Sequence, residues 1–184
     1  LKAEKPDAVI LASGVGPLVP PIPGLDKPIV VQVDDVLRGT VKVGKKAAVI
    51  GGGAVGAETA HWLMEQEKRE ISIIEMRDGI GIDMPQDARI CLMDEYDKME
   101  DLHPYIRSKV LEVGDDSVTL EKDGEVITIS GLDTVVLAAG ARPNRSLEET
   151  AKALAPEVYV TGDAEKPKDL VKAIYQGHMA ANQI

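Results

Sequence analysis

The 184-residue sequence has no Phe, and aromatic residues make up only 3% of it, so its core must be built from Val, Ile, Leu, Ala and Met. It also has a single cysteine, Cys91. That count excludes an internal disulfide, a Cys-x-x-Cys redox pair and an iron–sulfur cluster held by this chain alone. Because Cys91 stands among apolar residues in a run of helical composition, we expect it to be a small buried hydrophobic residue. One free cysteine is also typical of a reducing compartment and predicts a cytoplasmic protein.

Positive charge is scarce as well. The 21 Lys and Arg residues against 31 Asp and Glu residues give a formal net charge of −10. This balance argues against nucleic acid and against an anionic membrane surface as partners. No apolar run approaches the roughly 20 residues of a membrane-spanning helix. The first residues contain neither an initiator Met nor the apolar core of a signal peptide, so we expect the chain to begin inside a longer protein.

One stretch predicts ligand binding. A short apolar run at residues 47–50 is followed by a G-x-G-x-x-G sequence and then by a segment of helical composition that carries Glu58. Strand, glycines and helix in this order are what a dinucleotide requires: a tight turn, close approach of a pyrophosphate, and close packing of helix on strand. The free N–H groups and the positive dipole end of the helix would face the phosphates. The predicted cofactor-binding residues of this loop are Gly51, Gly52, Gly53, Ala54, Val55 and Gly56.

An acidic residue follows at a suitable distance. The β-rich run 70–75 ends in Glu75, close to the roughly 20-residue spacing expected for a ribose-binding carboxylate. Such a carboxylate accepts hydrogen bonds from ribose hydroxyls and repels a 2′-phosphate, which favours NAD(H) over NADP(H). Met76 and Arg77 adjoin it. Arg77 is either a solvated loop cation or a group that could meet a 2′-phosphate, and a glycine-rich turn that binds no nucleotide is the remaining alternative.

The other apolar patterns predict an α/β fold. Period-2 alternation with Asp and Gly turns between residues 105 and 129 indicates a three-stranded antiparallel meander. Pro85 suits the first turn of a helix, with Asp83 or Met84 near its cap. In chain order we expect a strand within 6–14, a proline-rich connector over 17–26, a short strand over 29–33, a helical turn over 34–39, a helix from about 85 to 99, the meander strands 108–113, 117–121 and 125–129, a buried strand within 133–140, a strand within 158–163, and a helix over 169–184.

These blocks together resemble the two-dinucleotide-binding-domain flavoproteins of the pyridine nucleotide–disulfide oxidoreductase superfamily. The matching segments are residues 7–14, 20–24, 51–58, 134–144 and 158–163. The resemblance implies a Rossmann-like FAD/NAD(P)-binding fold with a parallel central sheet, in which an NAD domain is inserted into an FAD domain. It divides the chain into a partial FAD-domain segment and connector (1–40), an NAD(H)-binding domain (41–142) and a C-terminal FAD-domain segment (143–184).

The resemblance also implies roles for individual residues. The loop glycines would hold the NAD pyrophosphate and Glu75 its adenosine ribose, while Glu58 would lie near the nicotinamide and Gly140 would border the same cleft. Asp163 would bond the ribityl or phosphate region of FAD, and Ser13 and Gly14 would border that flavin. From its place at a strand end alone, Asp163 is equally a ligand or a helix cap. No catalytic acid or base and no metal ligand is implied.

The C-terminal segment narrows the resemblance. Residues 162–164, Pro167 and residues 173–181 look like NADH:flavin oxidoreductases related to old yellow enzyme, of the 2,4-dienoyl-CoA reductase and trimethylamine dehydrogenase type. Those proteins carry an FMN barrel and a 4Fe–4S cluster ahead of this region. The resemblance implies a parent enzyme that passes a hydride from NADH to FAD and onward to FMN, with the chain alone inactive. Its expected partners are the dinucleotides and the rest of the parent chain, and unpaired sheet edges could pair with another copy.

Two other functions remain open from the sequence. One is a vestigial ADP-binding or purely structural accessory domain. The other is a fragment of a two-domain NADH-dependent flavoprotein reductase that has no barrel.

Overall fold

The computed structural model describes residues 2–184 and divides into two compact units. One unit is Val19–Gly140, and the other combines residues 2–18 with residues 141–184. The first unit begins ahead of the segment assigned to the nucleotide-binding domain, because residues 19–40 add a strand to the sheet of that unit and a helix to its core.

The unit Val19–Gly140 is built on a five-stranded parallel sheet in the order β3-β10-β4-β5-β6. A three-stranded antiparallel sheet, β7-β8-β9, packs with it. The parallel central sheet and the antiparallel meander confirm the predicted fold class. The strands are β3 (Val30–Gln32), β4 (Lys46–Ile50), β5 (Glu70–Ile74), β6 (Leu102–Tyr105), β7 (Ser108–Val113), β8 (Ser117–Lys122), β9 (Glu125–Ser130) and β10 (Thr134–Leu137), and the helices are α1 (Val33–Leu37), α2 (Ala54–Gln66) and α3 (Gln86–Tyr96).

The central sheet is buried on both faces, which explains the uninterrupted apolar runs of its strands. Successive side chains of a strand point to opposite faces. Ala47 and Val49 of β4 accordingly join the core formed with α2 and α3, whereas Ala48 and Ile50 join the core formed with the meander. The sheet thus lies between a helical layer and a β layer, and its C-terminal strand ends remain available for loops.

The strand β6 was not anticipated, because its four residues, Leu102–Tyr105, include Pro104 and are too short for a clear alternation. It pairs with β5 alone and forms an edge of the sheet. A proline is tolerated at such an edge because it need not donate to a second neighbour.

The helix α3 corrects two expectations. It ends at Tyr96 instead of near Met99, and Cys91 is exposed instead of buried. Its buried residues are Leu92 and Tyr96. The Tyr96 hydroxyl donates a hydrogen bond to the carbonyl oxygen of Ala57 at 2.7 Å, which ties α3 to α2, and burial raises the pKa of Tyr96 far above its ordinary value. The face of α3 that packs on α2 carries Leu92 and Tyr96, and Cys91 lies outside that face.

The second unit pairs β1 with β12 in parallel and β2 with β11 in antiparallel fashion. The predicted C-terminal helix is present, and the carboxylate of Asp169 caps it by accepting the backbone N–H of Lys172 at 2.7 Å. The elements of this unit are β1 (Ala8–Leu11), β2 (Val15–Pro17), β11 (Ala141–Pro143), α4 (Glu148–Lys152), β12 (Glu157–Val160), a 3-10 turn (Gly162–Ala164) and α5 (Leu170–Ala181).

Across residues 2–184, none of the helices combines the length and the apolar character needed to cross a membrane.

Candidate functional site

The glycine loop (residues 51–56) lies at the C-terminal end of β4 and leads directly into α2. Gly51 has φ of 105°, a left-handed conformation that favours glycine, and its N–H donates to the carbonyl oxygen of Ile74 at 2.9 Å. A Cβ on Gly51 would overlap the carbonyl oxygen of Ala138. The loop is therefore wedged between the ends of β5 and β10, beyond the carboxyl ends of three adjacent parallel strands, which is where α/β sheets bind ligands.

Gly56 brings the helix against the loop. A Cβ at this position would overlap the carbonyl oxygen of Gly51 and would lie 3.2 Å from the side chain of Ala138. Only hydrogen fits there, so the first turn of α2 can approach the strand ends closely. This is the packing role that the motif predicts for its third glycine.

The N-terminus of α2 has N–H groups that no carbonyl oxygen of the helix accepts. The first bond of the helix runs from the N–H of Ala57 to the carbonyl oxygen of Gly53 at 2.9 Å. The three preceding residues therefore have no intrahelical acceptor. Gly53 is the N-cap residue and has no side chain with which to cap them. The N–H of Ala54 donates instead to the Asp83 carboxylate at 3.0 Å. The next residue, Val55, is half exposed.

Glu75 turns its carboxylate toward the glycine loop. The residue is only 7% exposed, yet both carboxylate oxygens are engaged. One accepts the N–H of Gly52 at 2.8 Å, and the other accepts the backbone N–H of Arg77 at 2.9 Å and its Nε–H at 3.1 Å. Burial by itself raises the pKa of Glu75, but the hydrogen bonds from Arg77 and Gly52 outweigh it and hold the pKa below its usual value. Glu75 is therefore an ionised acceptor at neutral pH.

Arg77 is not a freely solvated cation. Its guanidinium pairs with Glu75 and lies 3.8 Å from an oxygen of Asp83. These pairings, led by the hydrogen bond with Glu75, raise the pKa of Arg77 above its already high value. Glu75, Arg77 and Asp83 thus form a charged chain that runs from the end of β5 to the start of α2.

Asp83 or Met84 was predicted near the cap of α3; Asp83 lies two residues before the N-cap residue, but its carboxylate does not cap that helix. Pro85 is the N-cap residue of α3, and the Asp83 carboxylate serves the N-terminus of α2 instead. An Asp two residues before a proline suggests a local cap, and nothing in the sequence marks a contact across 29 positions. Asp83 is the residue of this site that sequence reasoning missed.

Three further predicted residues lie around the loop at the surface. Glu58 is exposed on α2, Met76 is exposed after β5, and Gly140 is exposed after β10 with φ of 103°. Their places at the C-terminal edge of the sheet fit the predicted cleft, and their binding roles stay predictions.

The residues assigned to FAD lie in the other unit. Ser13 and Gly14 follow β1, and Asp163 follows β12, so the two groups lie beyond the same edge of a parallel pair. Both residues form hydrogen bonds with Asn144. The Ser13 hydroxyl donates to the Asn144 carbonyl oxygen, and the backbone N–H of Asn144 donates to the Gly14 carbonyl oxygen at 2.9 Å. Asp163 is half-buried in the 3-10 turn and accepts the N–H of Lys168 at 3.2 Å. Asp163 therefore does not cap α5, which begins after Asp169.

The sequence profile described as "Pyridine nucleotide-disulphide oxidoreductase" matches residues 2–177 of this chain. Among characterised proteins, the chain is similar to an NADH oxidase of Thermoanaerobacter brockii, with 35% identity over 100% of this chain and 29% of that protein. It is also similar to a bilirubin reductase of Mediterraneibacter gnavus, with 34% identity over 98% of this chain and 28% of that protein. A metal reductase of Desulforamulus reducens shows 30% identity over 94% of this chain and 30% of that protein.

Among solved structures, the chain is similar to 2-naphthoyl-CoA reductase in complex with 2-naphthoyl-CoA. The TM-score is 0.87 and the identity is 32%, over 96% of this chain and 27% of that one. The chain therefore spans less than a third of the length of each of these four relatives.

Proposed function

Since this chain belongs to the pyridine nucleotide-disulphide oxidoreductase family, we propose that the unit Val19–Gly140 binds NADH and that the whole protein passes a hydride from NADH to FAD. The nicotinamide and the flavin would supply the hydride chemistry when bound, and the chain's own residues would bind and orient them. No side chain of the chain is assigned as an acid or a base.

The position and charge of Glu75 carry this proposal. Its carboxylate is ionised, lies against the N–H of Gly52, and stands at the end of the strand next to the glycine loop. An acceptor in this position suits the two hydroxyls of an adenosine ribose and opposes a 2′-phosphate. We therefore favour NADH over NADPH, and we assign Arg77 to holding Glu75 in place instead of to binding a phosphate.

The glycine loop fits the rest of a dinucleotide. The glycines let the loop pack closely, since a Cβ on Gly51 or Gly56 would overlap a backbone carbonyl oxygen, and the N–H groups of Ala54, Val55 and Gly56 lack intrahelical acceptors. We propose that these groups hold the pyrophosphate. Glu58 would then approach the nicotinamide, and Gly140 would form the opposite wall of the cleft.

We further propose that residues 2–18 and 141–184 supply part of an FAD site. Ser13, Gly14 and Asp163 lie beyond the carboxyl ends of the neighbouring strands β1 and β12, the edge at which such sheets bind ligands. Asp163 would face the ribityl chain or a phosphate, and Ser13 with Gly14 would border the flavin.

We assign the parent protein to the NADH:flavin oxidoreductases related to old yellow enzyme. The similarity to 2-naphthoyl-CoA reductase over nearly the whole chain supports this assignment, as does the short share of each long relative that the chain spans. On this proposal the electrons continue from FAD to FMN in a barrel domain, and a 4Fe–4S cluster belongs to that same part. The chain alone would then bind NADH without turning it over.

Calorimetric titration of the chain with NADH, NADPH and ADP tests the NADH assignment. We expect NADH to bind more tightly than NADPH, because Glu75 repels the 2′-phosphate, and more tightly than ADP, because the nicotinamide half adds contacts. Tighter binding of NADPH would indicate that Arg77 meets the 2′-phosphate and that Glu75 does not select against it. Equal binding of ADP and NADH would favour a vestigial accessory domain, and no binding of any of the three would contradict the proposal.

A further inference from the structure

The connection between β5 and α3 (residues 76–85) folds back over the glycine loop. The N–H of Gly81 donates to the carbonyl oxygen of Gly52 at 2.7 Å. Ile80 is buried, and a Cβ on Gly52 would lie 2.6 Å from its side chain. The Nε–H of Arg89 donates to the Ile80 carbonyl oxygen at 2.7 Å, which fastens the connection to α3. Hydrogen bonds therefore hold the connection both to the glycine loop and to α3.

Asp83, near the end of this connection, sits on the start of α2. Its carboxylate accepts the N–H of Ala54 at 3.0 Å. A Cβ on Gly53 would lie 3.0 Å and 3.4 Å from the two carboxylate oxygens and 3.4 Å from a guanidinium nitrogen of Arg77. The space above Gly53, which a side chain at this position would need, thus contains a carboxylate and its guanidinium partner.

The Asp83 carboxylate is held there as a phosphate would be held. It is an anion that receives a backbone N–H at a helix N-terminus, where the dipole favours negative charge, and it stands beside a guanidinium. The side chain is also 51% exposed, so water can replace its contacts when it leaves. The family match supports the proposed pyrophosphate position, which therefore does not rest on the helix end alone.

We propose that Asp83 is an internal competitor of the dinucleotide pyrophosphate and sets the affinity of the site. The carboxylate occupies the N–H of Ala54 in the free protein and leaves it when the pyrophosphate arrives. Arg77, which is then released from Asp83, keeps its bond to Glu75. This inference rests on the proposed function, since it concerns the same NADH site.

The competition has two consequences of opposite sign. Removing the Asp83 carboxylate deletes a favourable charge at the start of α2, so the free protein becomes less stable. The same change removes the competitor, so NADH and ADP bind more tightly, by roughly twofold to fivefold if the displaced contact has the usual strength of a charge at a helix terminus. A residue that only capped the helix would lower stability without tightening binding.

The test uses Asp83→Ala and Asp83→Asn in the full chain, with Asp78→Asn as the matched control. Asp78 is exposed in the same connection and carries the same charge. Each protein is titrated with NADH and with ADP, and its thermal unfolding is followed without ligand. We expect both Asp83 variants to bind both nucleotides more tightly and to unfold at a lower temperature, with Asp83→Ala showing the larger change. The control should match the wild type in both measurements.

The outcomes separate this inference from the proposed function. If NADH binds the wild type and the Asp83 variants bind it equally or more weakly, Asp83 is only a structural cap and the competition is refuted. If NADH binds the Asp83 variants but not the wild type, the competition is supported in its strongest form. If no protein binds NADH or ADP, the proposed function fails and the competition is overturned with it.

Discussion

Replacing Gly56 with alanine is expected to lower the free energy of unfolding by about 3 kcal/mol and to abolish NADH binding. The added Cβ would overlap the carbonyl oxygen of Gly51, which is backbone and cannot rotate away. To relieve the overlap, α2 must move from the strand ends, and its N–H groups then move away from the proposed phosphate position. Urea unfolding monitored by circular dichroism and calorimetric titration with NADH measure the two effects.

Gly177→Ala is the control for this substitution. Gly177 lies inside α5, and a Cβ there has no heavy atom within 4 Å. Alanine is the better helix former, so this change is expected to raise the free energy of unfolding by about 0.5–1 kcal/mol. If Gly56→Ala unfolds at the wild-type urea concentration and binds NADH normally, the close packing of α2 on the loop has no functional meaning.

Replacing Glu75 with alanine is expected to weaken NADH binding by roughly thirtyfold, about 2 kcal/mol, because two ribose hydroxyls lose a charged acceptor. NADPH should lose less, since the same change removes the repulsion of its 2′-phosphate and frees Arg77. Titration of both nucleotides against the variant measures this loss of discrimination. Glu70→Gln is the matched control, since Glu70 begins the same strand and pairs with Lys46 away from the glycine loop. An unchanged preference for NADH in Glu75→Ala would show that Glu75 does not bind the ribose.

The lowered pKa of Glu75 adds a dependence on pH. A carboxyl whose pKa is lower in the folded than in the unfolded protein stabilises the fold above its ordinary pKa of 4.5. That contribution is lost as the pH falls below 4.5 and through the folded-state pKa. The difference in unfolding free energy between the wild type and Glu75→Gln should therefore be larger at pH 7 than at pH 3.5. A difference that stays constant with pH would show that the Glu75 charge does not stabilise the fold.

Much of the fold followed from local patterns. The alternation between residues 108 and 129 marks the meander because one face of those strands packs on the central sheet, and the buried residues Val118 and Leu120 of β8 repeat with that period. The run from Ala47 through the glycines predicts β4 and α2 because burial on both faces and a tight turn leave little freedom in residue type.

The features that were missed depend on distant contacts. Cys91 has apolar neighbours in sequence, but which face of α3 is buried depends on where Tyr96 meets α2. The strand β6 exists because β5 offers it an edge, which its own four residues do not reveal. Asp83 looks like a local cap, yet its partner is Ala54. In each case the deciding interaction joins segments far apart in the chain.

Titration of the isotope-labelled chain with NADH, followed by the backbone amide signals in two-dimensional NMR, tests most directly whether the glycine loop is the dinucleotide site. We predict that the amide signals of Gly52, Ala54, Val55 and Gly56 shift together and saturate at the same NADH concentration. Shifts confined to other parts of the chain, with these four amides unchanged at saturation, would contradict this prediction.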